Sequence, residues 1–224
     1  MEGEHGKKMK ILCLHGFRTS GSFIKKQISK WDPSIFSQFH MDFTKYTNLE
    51  ECISYLTEYI IANGPFDGFL GFSQGATLSA LLIGYQAQGK LLKEHPPIKF
   101  LVSISGSKFR DPSICDVAYK EPIKAKSVHF IGEKDWLKIP SEELASAFHK
   151  PLIIRHPQGH TVPRLDEVAT GQLQNWVAEI ISQPKVGVSI CEDENKVEVD
   201  STNHDKGVNG VEINKGNAET VEVA

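Results

Sequence analysis

The chain has 224 residues and a formal net charge of −3, with 40% hydrophobic and 24% charged residues. That length buries a real core, and the composition excludes collagen, coiled coils and repeat arrays. Residues 184–224 carry nine Asp or Glu against four Lys and no Phe, Trp, Tyr, Leu or Met, so this stretch is −5 and residues 1–183 are +2.

Three segments are therefore expected: a flexible N-terminus at 1–9, one domain at 10–183, and an acidic, disordered tail at 184–224 with little to bury against its ordering entropy. Short apolar runs alternate with segments of helical period, which predicts an α/β fold. A mostly parallel central sheet of about six strands should carry helices on both faces. The strands are expected at 10–14, 39–43, 68–72, 98–104, 127–131 and 152–155. Helices are expected at 47–62, 74–92 with a break or end near 84–89, 141–148 and 163–181. The first of these places Leu49, Cys52, Ile53, Leu56 and Ile60 on one face, behind a Thr47/Glu50 capping box.

Cys13, Cys52, Cys115 and Cys191 show neither CxxC spacing nor a His cluster of metal-ligand type, which predicts reduced thiols and no metal. The charged start and the short apolar run at 11–14 do not make a signal peptide, and no run reaches transmembrane length. Cytosol or nucleus is the expected compartment. The near-neutral body has no strong basic patch and predicts no nucleic-acid partner.

Gly71-Phe72-Ser73-Gln74-Gly75 fits GxSxG between an expected strand and an expected helix. Such a turn exposes a nucleophilic serine, and the helix start behind it offers backbone N–H groups to developing negative charge. His160, in a Gly-containing loop after the last strand, is the expected base, with His156 as competitor; His129 lies inside a strand and reads as core. After the strand at 127–131, Asp135 is the expected carboxylate and Glu133 the alternative. Ser73, Asp135 and His160 then follow the chain order of α/β-hydrolases. The second oxyanion donor beside the Gln74 N–H would be the N–H of Phe17 or Arg18, with Gly16 permitting the turn and His15 bracing it. Phe17, Arg18, Phe109 and Trp136 are the candidate substrate-binding residues.

With these residues in view, the chain resembles the FSH family of serine hydrolases, the ovarian-cancer-associated-protein-like esterases of the α/β-hydrolase superfamily. Five ordered blocks carry the resemblance: ILCLHGFRTSG at 11–21, GPFDGFLGFSQGA at 64–76, SISGSKF at 103–109, HFIGEKDW at 129–136 and HPQGHTVP at 156–163. It implies Ser73 as nucleophile, Asp135 as acid and His160 as base, with carboxylic-ester hydrolysis of a small molecule and no metal or organic cofactor. One departure stands out. Family members carry a long segment between the second strand and the next helix that helps roof the site, whereas here residues 39–46 run almost directly into the helix at 47. Such shortening is expected to leave a more open site or weaken activity, and makes the loop at 106–119 a candidate wall.

Thioester hydrolysis and acyl transfer use the same triad. A hydrolase scaffold that binds a ligand and turns over weakly is the reading outside catalysis.

Overall fold

Phe69, Leu70, Leu101 and Val102 have no exposed surface at all, which is the condition of strands covered on both faces. The structure, a computed structural model, describes residues 8–17, 19–37, 39–43 and 49–182. In chain order its elements are β1 (Met9–Leu14), α1 (Gly21–Ile28), β2 (Phe39–Phe43), α2 (Leu49–Asn63), β3 (Gly68–Phe72) and α3 (Gln74–Ala87). They continue with β4 (Phe100–Ile104), α4 (Pro112–Ala118), β5 (Lys126–Gly132), α5 (Lys138–Ser146), β6 (Leu152–His156) and α6 (Glu167–Ser182).

The strands form one six-stranded sheet in the order β2-β1-β3-β4-β5-β6, and every neighbouring pair is parallel. Alternation along each strand feeds two separate cores. Ile11 and Cys13 of β1 join Val102, Phe130 and the apolar faces of α1 and α6, from Ile24 and Ile28 to Leu173 and Val177. Leu12 and Leu14 turn the other way, towards Cys52, Leu56 and Ile60 of α2, Leu78 and Leu82 of α3, and Leu144 of α5. The α/β-hydrolase sheet and its two helical layers are thus as expected from the sequence.

The structure differs from the expectation at several element boundaries. Two helices were not expected. α1 is capped by the Ser20 hydroxyl, which accepts from the Phe23 N–H, and α4 by Asp111 followed by a proline in its first turn; both are short and sit among Gly and Ser. The second expected helix, α3, ends at Ala87, within the stretch 84–89 where a break or end was expected and before Gly89 with φ 64°. α5 begins at Lys138 rather than 141, and α6 at Glu167 rather than 163, because Asp166 caps it by accepting from the Ala169 N–H at 2.8 Å. The Thr47 half of the capping box, nearly all of segment 1–9, the acidic stretch at 184–224 and the connection at 44–48 lie outside the described residues. Cys52 and Cys115 are free thiols.

Two buried features make testable demands on stability. A Cβ on Gly75 would lie 2.1 Å from the Leu14 carbonyl oxygen, so α3 can cross β1 this closely only on a glycine. Gly75→Ala is expected to lower the unfolding free energy by about 3 kcal/mol in a urea titration. His129 of β5 is 1% exposed, packs edge-on against Phe148, and neither ring nitrogen has a hydrogen-bond partner. Burial pushes its pKa down to about 3, so the folded state holds it neutral while the unfolded chain protonates it below about pH 6.5. Its contribution is intact above that pH and is lost as pH falls towards 3. The wild type should lose about 2 kcal/mol between pH 7.5 and pH 5 from this group. His129→Leu should remove that part of the loss; an unchanged pH dependence would show that the folded state admits the proton.

Candidate active site

The chain leaves β3 at Phe72 and enters α3 at Gln74, and the one residue between them, Ser73, takes φ 55° and ψ −120°. A non-glycine residue is strained there by roughly 1–3 kcal/mol, so the surroundings must hold it. The Ser73 N–H donates to the Ile104 carbonyl at 2.9 Å, and the Ser73 carbonyl accepts from the Thr77 N–H at 3.1 Å and its hydroxyl at 3.3 Å. The two motif glycines answer to sterics on either side: a Cβ on Gly71 would meet the Ala76 backbone at 2.4 Å, and one on Gly75 the Leu14 carbonyl. The serine side chain is thereby lifted to the carboxyl end of the sheet, where ligands of open α/β sheets bind.

Two further loops meet it there. His160, between β6 and α6, has Nε2 3.0 Å from Ser73 Oγ, and its Nδ1 lies 3.0 and 3.1 Å from the two carboxylate oxygens of Asp135. A carboxylate only accepts, so Nδ1 carries the proton and Nε2 is left to accept from the serine hydroxyl. Asp135 is 6% exposed, and its Oδ1 also accepts from the Leu137 N–H at 2.8 Å. Backbone bonds stitch the acid loop to the histidine loop: Glu133 N–H to the His156 carbonyl at 2.8 Å, and Lys134 N–H to that of Gln158 at 3.2 Å. Gly132 permits this approach, since a Cβ there would lie 2.7 Å from the Gln158 carbonyl. The imidazole of His160 is flanked by Phe72 and Trp136, with ring centroids 5.1 and 5.0 Å away.

The alternatives fall out on geometry. Glu133 is exposed and occupied by Lys138 at 2.5 Å and Arg155 at 3.4 Å; the hydrogen bond from Lys138 leads in holding its carboxyl below the usual range. His156 turns its Nδ1 to the Gln158 side-chain oxygen at 2.8 Å, and burial pushes its pKa down.

The segment after β1 passes directly over the nucleophile: a Cβ on Gly16 would lie 3.2 Å from Ser73 Cβ. Thr19 folds it back, donating to the Gly16 carbonyl from its N–H at 3.2 Å and its hydroxyl at 2.8 Å. Phe17 follows at once in the chain, and the Gln74 N–H stands at the head of α3. Arg18 lies outside the described residues.

Ser73 and Gln74 open into a cavity of about 540 Å³. Phe109 and Trp136, two of the candidate substrate-binding residues, line it, and so do Ser107, Lys108 and Arg110 of the loop after β4. That loop does serve as a wall, although its second half is α4. Phe17 is not part of this lining and is 64% exposed. Sequence reasoning missed Thr77, Cys52, Leu137 and Pro140. Thr77 stands four residues after the nucleophile and could have been found from helical spacing; the others reach the cavity only through tertiary packing. Burial pushes the Cys52 thiol up to about 12, so it enters the cavity wall as a neutral group. Among the described residues no group of three or more His, Cys, Asp or Glu side chains is placed to hold a metal ion, and no helix is long and apolar enough to cross a membrane.

Comparison with known proteins bears on the same residues. The family described as Serine hydrolase (FSH1) matches in two stretches, residues 1–45 and 35–171, which overlap at residues 35–45. "Family of serine hydrolases 3" of Saccharomyces cerevisiae is 33% identical over 68% of this chain and 56% of its own length. "Esterase C25G4.2" of Caenorhabditis elegans is 30% identical over 71% of this chain and 89% of its own. The chain thus spans about half the length of the first of these relatives, and less of a "Dihydrofolate reductase" of Schizosaccharomyces pombe, at 46%. Among solved structures, the acyl-protein thioesterase 2 of Zea mays shares the fold with a TM-score of 0.55 at 16% identity, over 81% of this chain and 97% of that one. With the nucleophile turn, the histidine loop and the acid loop all within the matched stretches, the chain belongs to the FSH1 family of serine hydrolases.

Proposed function

We propose that this hydrolase cleaves carboxylic esters of small molecules through an acyl-enzyme on Ser73. The observation that carries the reading is the unbroken hydrogen-bonded line from Asp135 through His160 to Ser73, with 3.0 Å at each link. Ser73 Oγ attacks the carbonyl carbon while its proton passes to His160 Nε2. The N–H groups of Gln74 and Phe17 receive the oxyanion. As the tetrahedral intermediate collapses, the C–O bond to the alcohol breaks and Nε2 returns the proton to that oxygen. Water then enters, gives a proton to Nε2 and attacks the acyl carbon; collapse releases the acid and restores the proton to Ser73 Oγ. Asp135 stays ionised throughout, orienting the ring and offsetting the imidazolium.

Hydrolysis of p-nitrophenyl acetate and butyrate, with labelling by a fluorophosphonate probe, tests the assignment. Ser73→Ala should abolish labelling and lower turnover by a factor on the order of 10⁴ or more; retained turnover would remove Ser73 from the mechanism. Asp135→Asn keeps the shape but offers Nδ1 a group that can present N–H. It should cut kcat by about 10³ to 10⁴ while KM moves little. A drop of less than tenfold would mean that another group orients His160. Matching the butyrate ester against butyryl-CoA separates oxygen esters from thioesters.

A further inference from the structure

Two cations, Lys108 and Arg110, line the cavity beside Ser73, and Arg110 makes no ion pair among the described residues. His160 hands its proton to the departing oxygen, so the leaving group lies on the histidine side of Ser73. The 540 Å³ cavity is lined by none of residues 156–162 and therefore receives the acyl half. Leu78, Phe109 and Leu137 supply apolar wall, and Arg110 supplies a guanidinium. Arg110 also lines an adjoining cavity of about 630 Å³ that shares Trp136, Pro140 and Glu143 with the first but does not reach Ser73. The arginine thus stands between the cavity that Ser73 lines and a second one lined by Asp135 and Lys138.

Its surroundings leave it unpaired while holding its backbone. Among the described residues no carboxylate forms an ion pair with Arg110. The neighbouring Asp111 accepts from the Ser113 N–H at 2.9 Å and its hydroxyl at 2.7 Å in capping α4. The other cations nearby are engaged, Lys138 with Glu133 at 2.5 Å and Lys108 over the Tyr119 ring at 4.9 Å. The loop that carries Arg110 is tied down by Ser107 N–H to Thr77 Oγ1 at 3.0 Å and by Cys115 Sγ–H to the Phe109 carbonyl at 2.7 Å. A planar five-donor fork on a fixed base suits an anion, above all a carboxylate.

We infer that the acyl group of the substrate carries a carboxylate at its distal end, held by Arg110, so that the protein prefers half-esters of dicarboxylic acids to neutral alkanoates. This rests on the ester-hydrolase reading and deepens it. Glu143, with the opposite sign in the same cavity, opposes such a substrate.

The test compares mono-p-nitrophenyl esters of adipic, suberic and sebacic acids with p-nitrophenyl alkanoates of equal chain length, each corrected for its alkaline hydrolysis rate. These chains are too long for the carboxylate to attack its own ester readily. At one length the wild-type ratio of kcat/KM, acidic over neutral, should exceed about five, and Arg110→Gln should lower that ratio about tenfold. Glu143→Gln should raise it about threefold. Ser73-dependent turnover with a wild-type ratio at or below one, or a ratio that Arg110→Gln leaves unchanged, would overturn the inference and leave the esterase reading standing. So would an Arg110 effect confined to 4-acetoxybenzoate, whose carboxylate is on the leaving group. No turnover of either series would take down both.

Discussion

Helix α3 lies so close to β1 that one carbonyl oxygen, that of Leu14, excludes a methyl group at Gly75. Much of the site follows from this contact. It brings the N-terminus of α3 to the carboxyl end of the sheet, and it leaves a single residue to turn the chain from β3 into the helix. That residue must accept a left-handed φ. The strain is held by the bond from the Ser73 N–H to β4 and by the Thr77 backbone and hydroxyl, so it is spread over two strands and a helix. A nucleophile on a rigid, strained turn cannot fold back into the core, and this keeps its hydroxyl presented to a substrate.

The second constraint is that the acid and the base stand on different loops, 25 residues apart, yet must hold a hydrogen bond of fixed direction. Adjacent parallel strands solve half of this, since β5 and β6 pair in register up to Gly132 and His156. The loops beyond them then bond backbone to backbone, and a side chain at Gly132 would break that seam. Phe72 and Trp136 confine the ring from its flanks. The imidazole is thus held both along its hydrogen-bond axis and across its faces, which fixes its tautomer as well as its orientation.

The wall of the cavity comes from far along the chain. The loop after β4, which ends in a capped turn of helix, lines it with Ser107, Lys108, Phe109 and Arg110. That loop brings charge into the wall. It supplies a cation whose sequence neighbour, Asp111, is committed to capping α4.

The legible part of this protein was the part that depends on local pattern. Apolar runs in β1, β3, β4 and β5 identify the sheet because strands buried on both faces tolerate almost no polar side chains. GxSxG between strand and helix marks Ser73 because its glycines answer to local backbone geometry. Asp135 and His160 could be chosen because their loops follow strands whose order was readable, with Glu133 and His156 left as alternatives until side-chain directions were known. The sequence also carried the caps of α1 and α4, in Ser20 and in Asp111-Pro112, but helices this short are held by packing more than by period. What only the tertiary structure decided is which residues converge from distant elements: that Cys52 of α2, whose spacing marks core, also walls the cavity beside Ser73, and that Glu133 is drawn off by Lys138 and Arg155. It also decided that Arg110 lines the cavity without an ion pair among the described residues. Periodicity reports which face of an element is buried, while the identity of what it is buried against is set by how the elements cross.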